Sequence, residues 1–423
     1  MLAGMESYRP RVADLQLEAA LHSAGAVQIV GPKWCGKTTT AERRAASAVY
    51  FQDPDRRGAL LRVAAEQPSL LLAGDKPRLF DEWQDAPTIW DAVRFAVDRE
   101  QVVGGYILTG STVPSGEQVK HSGTGRFSRL AMRTMSLYES GESSGAVSLA
   151  DLVDGREIAG QAQLSLGDVA HALVRGGWPA SVVSDDAYAT KRAADYVESV
   201  TEIDISKVDG IEKNPRRVRL LMRSLARNES TEAAMTTLQA DMVSDEGRVS
   251  TNTIAVYLNA LRRLYVLDDQ EAWAPAVRSK TAIRTSPVRR YCDPSLPAAL
   301  LGLTEDKLLV DFNTFGLLFE SLVVRDLRTY ASAHNATIWH YRDARGLECD
   351  AIVEWPDGRW GAVEIKLETA REDEAANNLL RLGRLVRSQS AGAPSFLAVI
   401  TTTGFARRRP DGVYCVPIGS LGP

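Results

Sequence analysis

Apolar residues in this chain fall into short runs separated by stretches with helical spacing. Val12, Leu15, Leu17 and Leu21 recur near helical spacing, so residues 1–24 read as an amphipathic helix. Ala26–Val30 is a short apolar run and predicts a buried strand; a Gly-rich turn and a helix from Lys37 follow. Further strands are expected at Ser47–Phe51, Pro77–Asp81 and Tyr106–Thr109, with a helix over Thr88–Asp98. Strands alternating with helices predict a parallel α/β sheet. Ser140–Gly160 is rich in Gly, Ser and acids and reads as a linker or surface loop.

From about residue 165 to 300 the pattern is mostly helical. Beyond 310 it predicts a helix over Asp311–Ala333 and strands at Thr337–Tyr341, Glu348–Trp355 and Arg359–Leu367. A helix over Asp373–Ser388 and strands at Phe396–Thr401 and Gly412–Val416 complete it. A chain of 423 residues exceeds one ordinary core, so several domains are expected.

The turn after the first strand carries chemistry. Gly31, Pro32, Lys33, Trp34, Cys35, Gly36, Lys37 and Thr38 match G-x-x-x-x-G-K-[ST]. Such a loop turns backbone N–H groups inward around phosphate, and the following helix adds a partial positive charge. Lys37 would reach the β- and γ-phosphates of ATP, Thr38 would hold Mg2+, and Thr39 continues the binding segment. Arg78–Asp81 is an apolar strand ending in Asp81-Glu82. Asp81 would bind Mg2+ through water and Glu82 would polarise the attacking water; a capped helix start is the alternative. Tyr106–Ser111 ends in small polar residues, and Thr109 and Ser111 would sense the γ-phosphate from the neighbouring strand; a plain strand-ending turn is the alternative.

The phosphate-binding loop, Leu79–Asp98, Tyr106–Ser111 and Gly125–Glu139 together resemble the AAA-type ATPases of bacteria and archaea that carry a C-terminal domain of unknown function. The resemblance implies a multidomain α/β protein. Its parts would be an AAA+ P-loop core with a parallel sheet (1–140), a helical lid and linker (141–205), a winged-helix-like domain (206–305) and a nuclease-like domain (306–423). It also implies that Arg126 lies where such proteins place an arginine finger or γ-phosphate sensor, with Arg129 and Arg133 as substitutes; a surface arginine is the alternative. A finger acting in trans would require a homo-oligomer.

In the middle segment, Ile254, Tyr257, Leu258, Leu261 and Leu264 form an apolar stripe after the natural N-caps Ser250 and Thr251. Tyr265–Leu267 reads as a short strand, and a helix followed by a hairpin is the winged-helix pattern. Arg216, Arg219, Arg223 and Arg227 make one basic helix face. Arg278, Lys280, Arg284, Arg289 and Arg290 form a second basic cluster. Such faces can track DNA phosphates, or they are solvated or domain-contact surfaces.

Near the C-terminus, Asp350, Glu364 and Lys366 are spaced as D-x13-E-x-K, with Glu320 upstream on a helix. This resembles the PD-(D/E)-x-K nucleases, a restriction-endonuclease-like α/β fold, and implies Mg2+ held by Glu320, Asp350 and Glu364 with Lys366 supporting the attacking hydroxide. Glu364 and Lys366, two apart in a strand, share one face. If Pro356-Asp357-Gly358 is the hairpin loop, Trp355 pairs with Arg359 and Asp350 lies opposite Glu364; a two-residue loop would split the cluster. A surface network of the same three side chains is the alternative.

Composition narrows this picture without changing it. The net charge of −4 leaves any nucleic-acid contact to local basic patches. Four cysteines without a C-x-x-C pair argue against a disulfide framework or zinc site. No apolar run approaches the roughly 18–20 residues of a membrane span, and the N-terminus has no long apolar h-region, so no membrane contact and a cytoplasmic location are expected. Three functions stay open: an ATPase serving a nucleic-acid task, a nucleotide-dependent switch or scaffold with an inert C-terminal domain, and an ATPase acting on protein partners.

Overall fold

The computed structural model describes residues 8–111, 123–184, 188–208, 210–243, 249–275, 286–387 and 391–423. The first helix spans Val12–Ser23 and buries Leu17, while Leu15 is exposed. Five parallel strands follow: β1 (Ala26–Val30), β2 (Ser47–Tyr50), β3 (Arg78–Asp81), β4 (Tyr106–Gly110) and β5 (Phe127–Ala131). Their spatial order is β2-β3-β4-β1-β5. Alternate residues bury into opposite faces. Phe80, Tyr106 and Leu108 pack with Trp83, Ile89 and Trp90, while Val27, Ile29, Leu79 and Ile107 pack with Leu17 and Leu130. Both faces are therefore covered, which is why these strands read as continuous apolar runs. β5 carries Ser128 and Arg129 in its middle, so its apolar signal is weak.

The second sheet has seven strands. β7 (Gly160–Gln161), β12 (Phe405–Arg408), β13 (Tyr414–Pro417), β11 (Phe396–Thr401), β10 (Trp360–Lys366), β9 (Glu348–Glu354) and β8 (Thr337–Arg342) lie side by side in that order. The helix Phe312–Ser332 covers one face and the helix Glu372–Arg387 the other. A further pair joins β6 (Val147–Ser148) to β14 (Leu421–Gly422).

These pairings correct the reading of residues 140–160 as a linker. Val147, Leu149 and Leu152, together with the helix Leu166–Arg175, share a core with Phe315, Leu322 and Val416. The segment is polar on average, yet its few apolar side chains are the ones that bury. The expected lid thus packs in large part on the C-terminal sheet.

Between the two sheets lies a helical core that includes Pro215–Arg227, Met235–Asp241 and Thr251–Arg263. Ser250 caps the last of these, its hydroxyl accepting the Thr253 N–H at 3.1 Å. In place of the short strand expected at Tyr265–Leu267, isolated bridges join Leu267 to Tyr291 and Gln270 to Val288. This hairpin-like arm turns inward. Ala272 bridges His340 on the free edge of β8, and Trp273 packs at a tilt against Trp360, ring centres 4.8 Å apart. An arm that caps a sheet edge removes a site of unwanted pairing. Arg289 and Arg290, read as part of a DNA-facing cluster, are buried here. Arg289 pairs with Asp269 at 2.8 Å and Arg290 with Glu320 at 2.5 Å. Arg278, Lys280 and Arg284 lie outside the described residues.

Candidate nucleotide site and C-terminal carboxylate cluster

In a parallel sheet all strand ends of one sense meet at one edge, where ligands bind. Here Gly31 follows β1, Asp81 ends β3, and Thr109 stands near the end of β4. Because β4 lies between the other two, Thr109 is in register with Ile29 on one side and Asp81 on the other. Three side chains converge. Asp81 Oδ1 accepts from Thr38 Oγ1 at 2.7 Å and from Thr109 Oγ1 at 2.6 Å. These hard oxygen donors suit Mg2+, which commonly takes one or two carboxylates and keeps several waters.

The loop itself is shaped by its glycines. A Cβ on Gly31 would stand 2.2 Å from the Met132 carbonyl, because the chain leaving β5 crosses directly over it. Gly36 and Trp34 both adopt left-handed backbone (φ 100° and 63°). Lys37 is buried and folds back onto the loop, donating to the Gly31 and Pro32 carbonyls at 3.0 and 2.8 Å. Such neutral partners are readily exchanged for phosphate oxygens.

Glu82 is the next residue after β3 and also has left-handed backbone, φ 54°. A non-glycine residue held there signals an over-determined position. Its carboxylate takes a hydrogen bond from Gln84, and the Ser111 hydroxyl lies 3.4 Å away. Burial pushes its pKa up, opposed by the Gln84 bond and by the positive charges of Lys37 and Lys33.

Arg126 does not join this group. It precedes Phe127, which pairs with Ala26 at the opposite end of β1, and its guanidinium is tied to Asp98 at 2.7 Å. In a parallel sheet the two ends of a five-residue strand are about 15 Å apart, so Arg126 is remote from its own chain's loop. Arg129 reaches the Tyr265 hydroxyl and Arg133 pairs with Asp268, so both are committed to the middle segment.

Sequence reasoning missed the loop's surroundings. Buried Arg11 donates to the Cys35 carbonyl at 2.8 Å and to that of Arg133 at 2.8 Å, and pairs with Glu139. Beside the loop lies a cavity of about 280 Å3, lined by Tyr8, Gly36, Thr39, Met135, Pro179 and Val183 among others. These residues are scattered over 175 positions and carry no local signal in the sequence.

In the second sheet, the Trp355 N–H donates to the Arg359 carbonyl at 2.9 Å, and Gly358 has φ 86°. Trp360 then pairs with Glu354 and Val363 with Ala351, so the same register carried one step further sets Asp350 opposite Glu364. Lys366 Nζ lies 2.7 Å from Glu364 and 3.5 Å from Asp350. Asn378 Nδ2 donates to Glu364 at 2.5 Å, and the Ile365 N–H donates to Asp350 at 2.7 Å. Burial and the Asp350 charge push the Glu364 carboxyl up to about 8. A cavity of about 600 Å3 opens over Asp350, Glu364, Lys366, Asn378 and Arg381.

Glu320 faces this cluster closely enough that the Asp350 charge, after burial, helps push its carboxyl up to about 7. It is nevertheless held by Arg290. Among the described residues no group of three or more His, Cys, Asp or Glu side chains is placed to hold a metal ion together. The three-carboxylate ligand set therefore does not assemble. Asp350 and Glu364 remain as a facing pair, a donor set that suits Mg2+ only with water completing its shell.

Comparison with known proteins fits the N-terminal half of this arrangement. Residues 23–141 match an AAA domain family, and residues 166–307 and 315–421 match two domains of unknown function, DUF8612 and DUF4143. Uncharacterized proteins of Mycobacterium bovis and Mycobacterium tuberculosis are each 25% identical over 364 residues, covering 84% of this chain and 73% of theirs. A Walker-type ATPase of Pyrococcus abyssi aligns at 13% identity and a TM-score of 0.43, over 70% of this chain and 97% of that one. Among the described residues no helix is long and apolar enough to cross a membrane. Residues 23–141 are therefore similar to an AAA domain, and this stretch contains the phosphate-loop sequence Gly31–Thr38.

Proposed function

We propose that this protein hydrolyses ATP at the end of its first sheet, with Glu82 as the general base. The observation that carries the reading is the convergence of Thr38, Thr109 and Asp81 on one oxygen beside the phosphate loop. Lys37 would leave the loop carbonyls for the β- and γ-phosphates. Thr38 and Asp81 would hold Mg2+, which would supply charge neutralisation at the phosphate oxygens. Water oxygen attacks Pγ, its proton passes to Glu82, and the Pγ–O bond to the β-phosphate breaks with its electron pair going to ADP. A carboxyl raised by burial holds a proton better than an ordinary one, which suits that role. The cavity beside Tyr8 and Pro179 would take the base and sugar.

The register of Asp350, Glu364 and Lys366 favours a second reading for the other end of the chain, metal-dependent cleavage of a DNA phosphodiester. Support for a nucleic-acid partner comes from Arg216, Arg219, Arg223 and Arg227, which stay exposed along one helix. The inert-scaffold reading draws on the ion pairs that neutralise the cluster. The deciding experiment is a phosphate-release assay with Mg2+, with and without duplex DNA, on wild type and Lys37→Ala. Turnover lost in the variant supports the ATPase, and stimulation by DNA links the two ends. Turnover that survives Lys37→Ala overturns the reading.

A further inference from the structure

The second variable position of the phosphate loop is a lysine, Lys33, and its side chain is held by another part of the chain. Lys33 Nζ pairs with Asp204 at 2.6 Å. Asp204 ends a π-helical turn, Val200–Asp204, a distortion that is rare and concentrates at functional sites. The neighbouring Trp34 meets Tyr196 edge-on at 6.2 Å, and Tyr196 packs on Trp178 at 4.6 Å. The loop tip is thus docked on the helical middle of the protein by the Lys33–Asp204 ion pair, the Trp34–Tyr196 contact and a hydrogen bond between the Lys33 backbone and Tyr196.

Two observations place Lys33 beside the reacting group. It belongs to the loop that wraps the phosphates, two residues after Gly31. Its charge also reaches Glu82, where it acts with Lys37 against the effect of burial. The arginines read as fingers are elsewhere: Arg126 at the far end of the sheet, Arg129 on Tyr265 and Arg133 on Asp268. A phosphoryl transfer needs positive charge on the γ-phosphate oxygens beyond what one lysine supplies.

We propose that Lys33 is a γ-phosphate ligand which exchanges Asp204 for the terminal phosphate of ATP, so that the same side chain completes the hydrolytic site and undocks the loop from the middle helices. The proposal rests on the ATPase reading above. Lys33 is about two-fifths exposed and Asp204 about one-tenth, so the pair sits at a surface where a doubly charged phosphate outcompetes a single carboxylate. ADP, lacking the γ-phosphate, would leave the Lys33–Asp204 pair intact. Because the two partners compete for one lysine, weakening Asp204 must strengthen ATP binding, by reciprocity of coupled equilibria.

The test measures ATP and ADP affinities by titration, and single-turnover hydrolysis, on the full chain. Lys33→Ala is expected to leave ADP affinity unchanged. It should reduce the preference for ATP over ADP by about tenfold, the value of a charge-assisted bond. It should also slow single-turnover hydrolysis by about 100-fold. Lys33→Arg should restore most of both. Asp204→Asn should raise ATP affinity severalfold with ADP affinity unchanged. A purely structural role for the pair predicts equal loss for both nucleotides, and that result overturns the proposal. So does an unchanged nucleotide preference in Lys33→Ala while Lys37→Ala abolishes binding. Loss of nothing in Lys37→Ala would instead overturn the underlying ATPase reading.

Discussion

At the candidate nucleotide site Lys37 lies on two backbone carbonyls, whereas in the C-terminal cluster Lys366 lies on the carboxylates themselves. The acids differ in the same sense. Asp81 is held by two neutral hydroxyls, while Glu364 is held by an ammonium and an amide. A phosphate can therefore reach Lys37, and a divalent cation Asp81, without breaking an ion pair at those two side chains. At the second, a cation must displace Lys366. Burying a paired charge costs little only while its partner remains, so the C-terminal cluster stays neutralised until something replaces the lysine. The first acid has neutral, exchangeable partners, and the second is already neutralised by a cation.

The largest effect should come from Glu82→Gln. This change keeps the volume and the Gln84 contact but removes the base. Turnover should fall by at least about 100-fold with ATP affinity within a few-fold of wild type. Equal loss of binding and turnover would place Glu82 in ground-state binding and weaken the contrast between the two sites.

Next in size is Lys366→Met. It leaves Asp350 and Glu364 facing each other without a cation, and breaking such a buried pair costs about 3 kcal/mol. Denaturant unfolding should show that loss, and Mg2+ in the millimolar range should recover part of it if the pair binds metal. A variant as stable as wild type, with no response to Mg2+, would show that the carboxylates had simply taken up protons, and the nuclease reading of the cluster would go with it.

Between the two sites runs a chain of contacts that the comparison makes testable. Asp268 takes Arg133 from the end of β5 and Arg328 from the helix Phe312–Ser332. Two residues on, the Gln270 side chain donates to the Asp350 carbonyl at 3.0 Å and accepts from Arg290, which holds Glu320. Gln270→Leu should leave ATP turnover within about twofold, because the hydrogen bonds it removes, to Trp339, Asp350 and Arg290 and each worth roughly 1 kcal/mol, lie at the far end of the chain of contacts. It should, however, change any effect of ATP on divalent-ion binding at Asp350. An unchanged response would assign the contact to packing alone.

How much of this was legible in the sequence follows from the range of each signal. Glycines, Lys37 and Thr38 are neighbours in the chain, so their spacing reveals them. Asp350, Glu364 and Lys366 are linked by one hairpin, so a single loop length gave the register. The strands buried on both faces announced themselves as apolar runs, while β5 and the two-residue β6, β7 and β14 are too short or too polar to do so. Arg126 was placed by its motif alone; strand direction, which puts it at the wrong edge, emerges only once β5 pairs with β1. Arg290 reads as one more basic residue in a run, and only the inward turn of the arm from Leu267 to Trp273 makes it the partner of Glu320. Contacts such as Arg11 on Cys35, or Lys33 on Asp204, join residues 24 and 171 positions apart and leave no local trace.

The smallest predicted effect tests the seam where the arm meets the second sheet. His340 is buried beneath the arm, its N–H donating to the Glu271 carbonyl and its own carbonyl accepting from Trp273. Burial, with the nearby charge of Arg290, lowers its pKa to about 4. A base whose folded pKa lies below its unfolded value of about 6.5 binds its proton more readily in the unfolded chain. Its contribution is therefore complete above pH 6.5 and is lost as the pH falls toward 4. Because the raised Glu364 and Glu320 carboxyls gain stability over the same window in both proteins, the test is the difference: the wild-type unfolding midpoint should fall relative to that of His340→Leu as the pH drops from 6.5 toward 4. Because His340 belongs to the seam and not to the phosphate loop, nucleotide affinity in wild type should stay level over the upper part of the window while the seam loosens. A parallel fall in both would mean that the arm, and with it the C-terminal sheet, supports the nucleotide site directly.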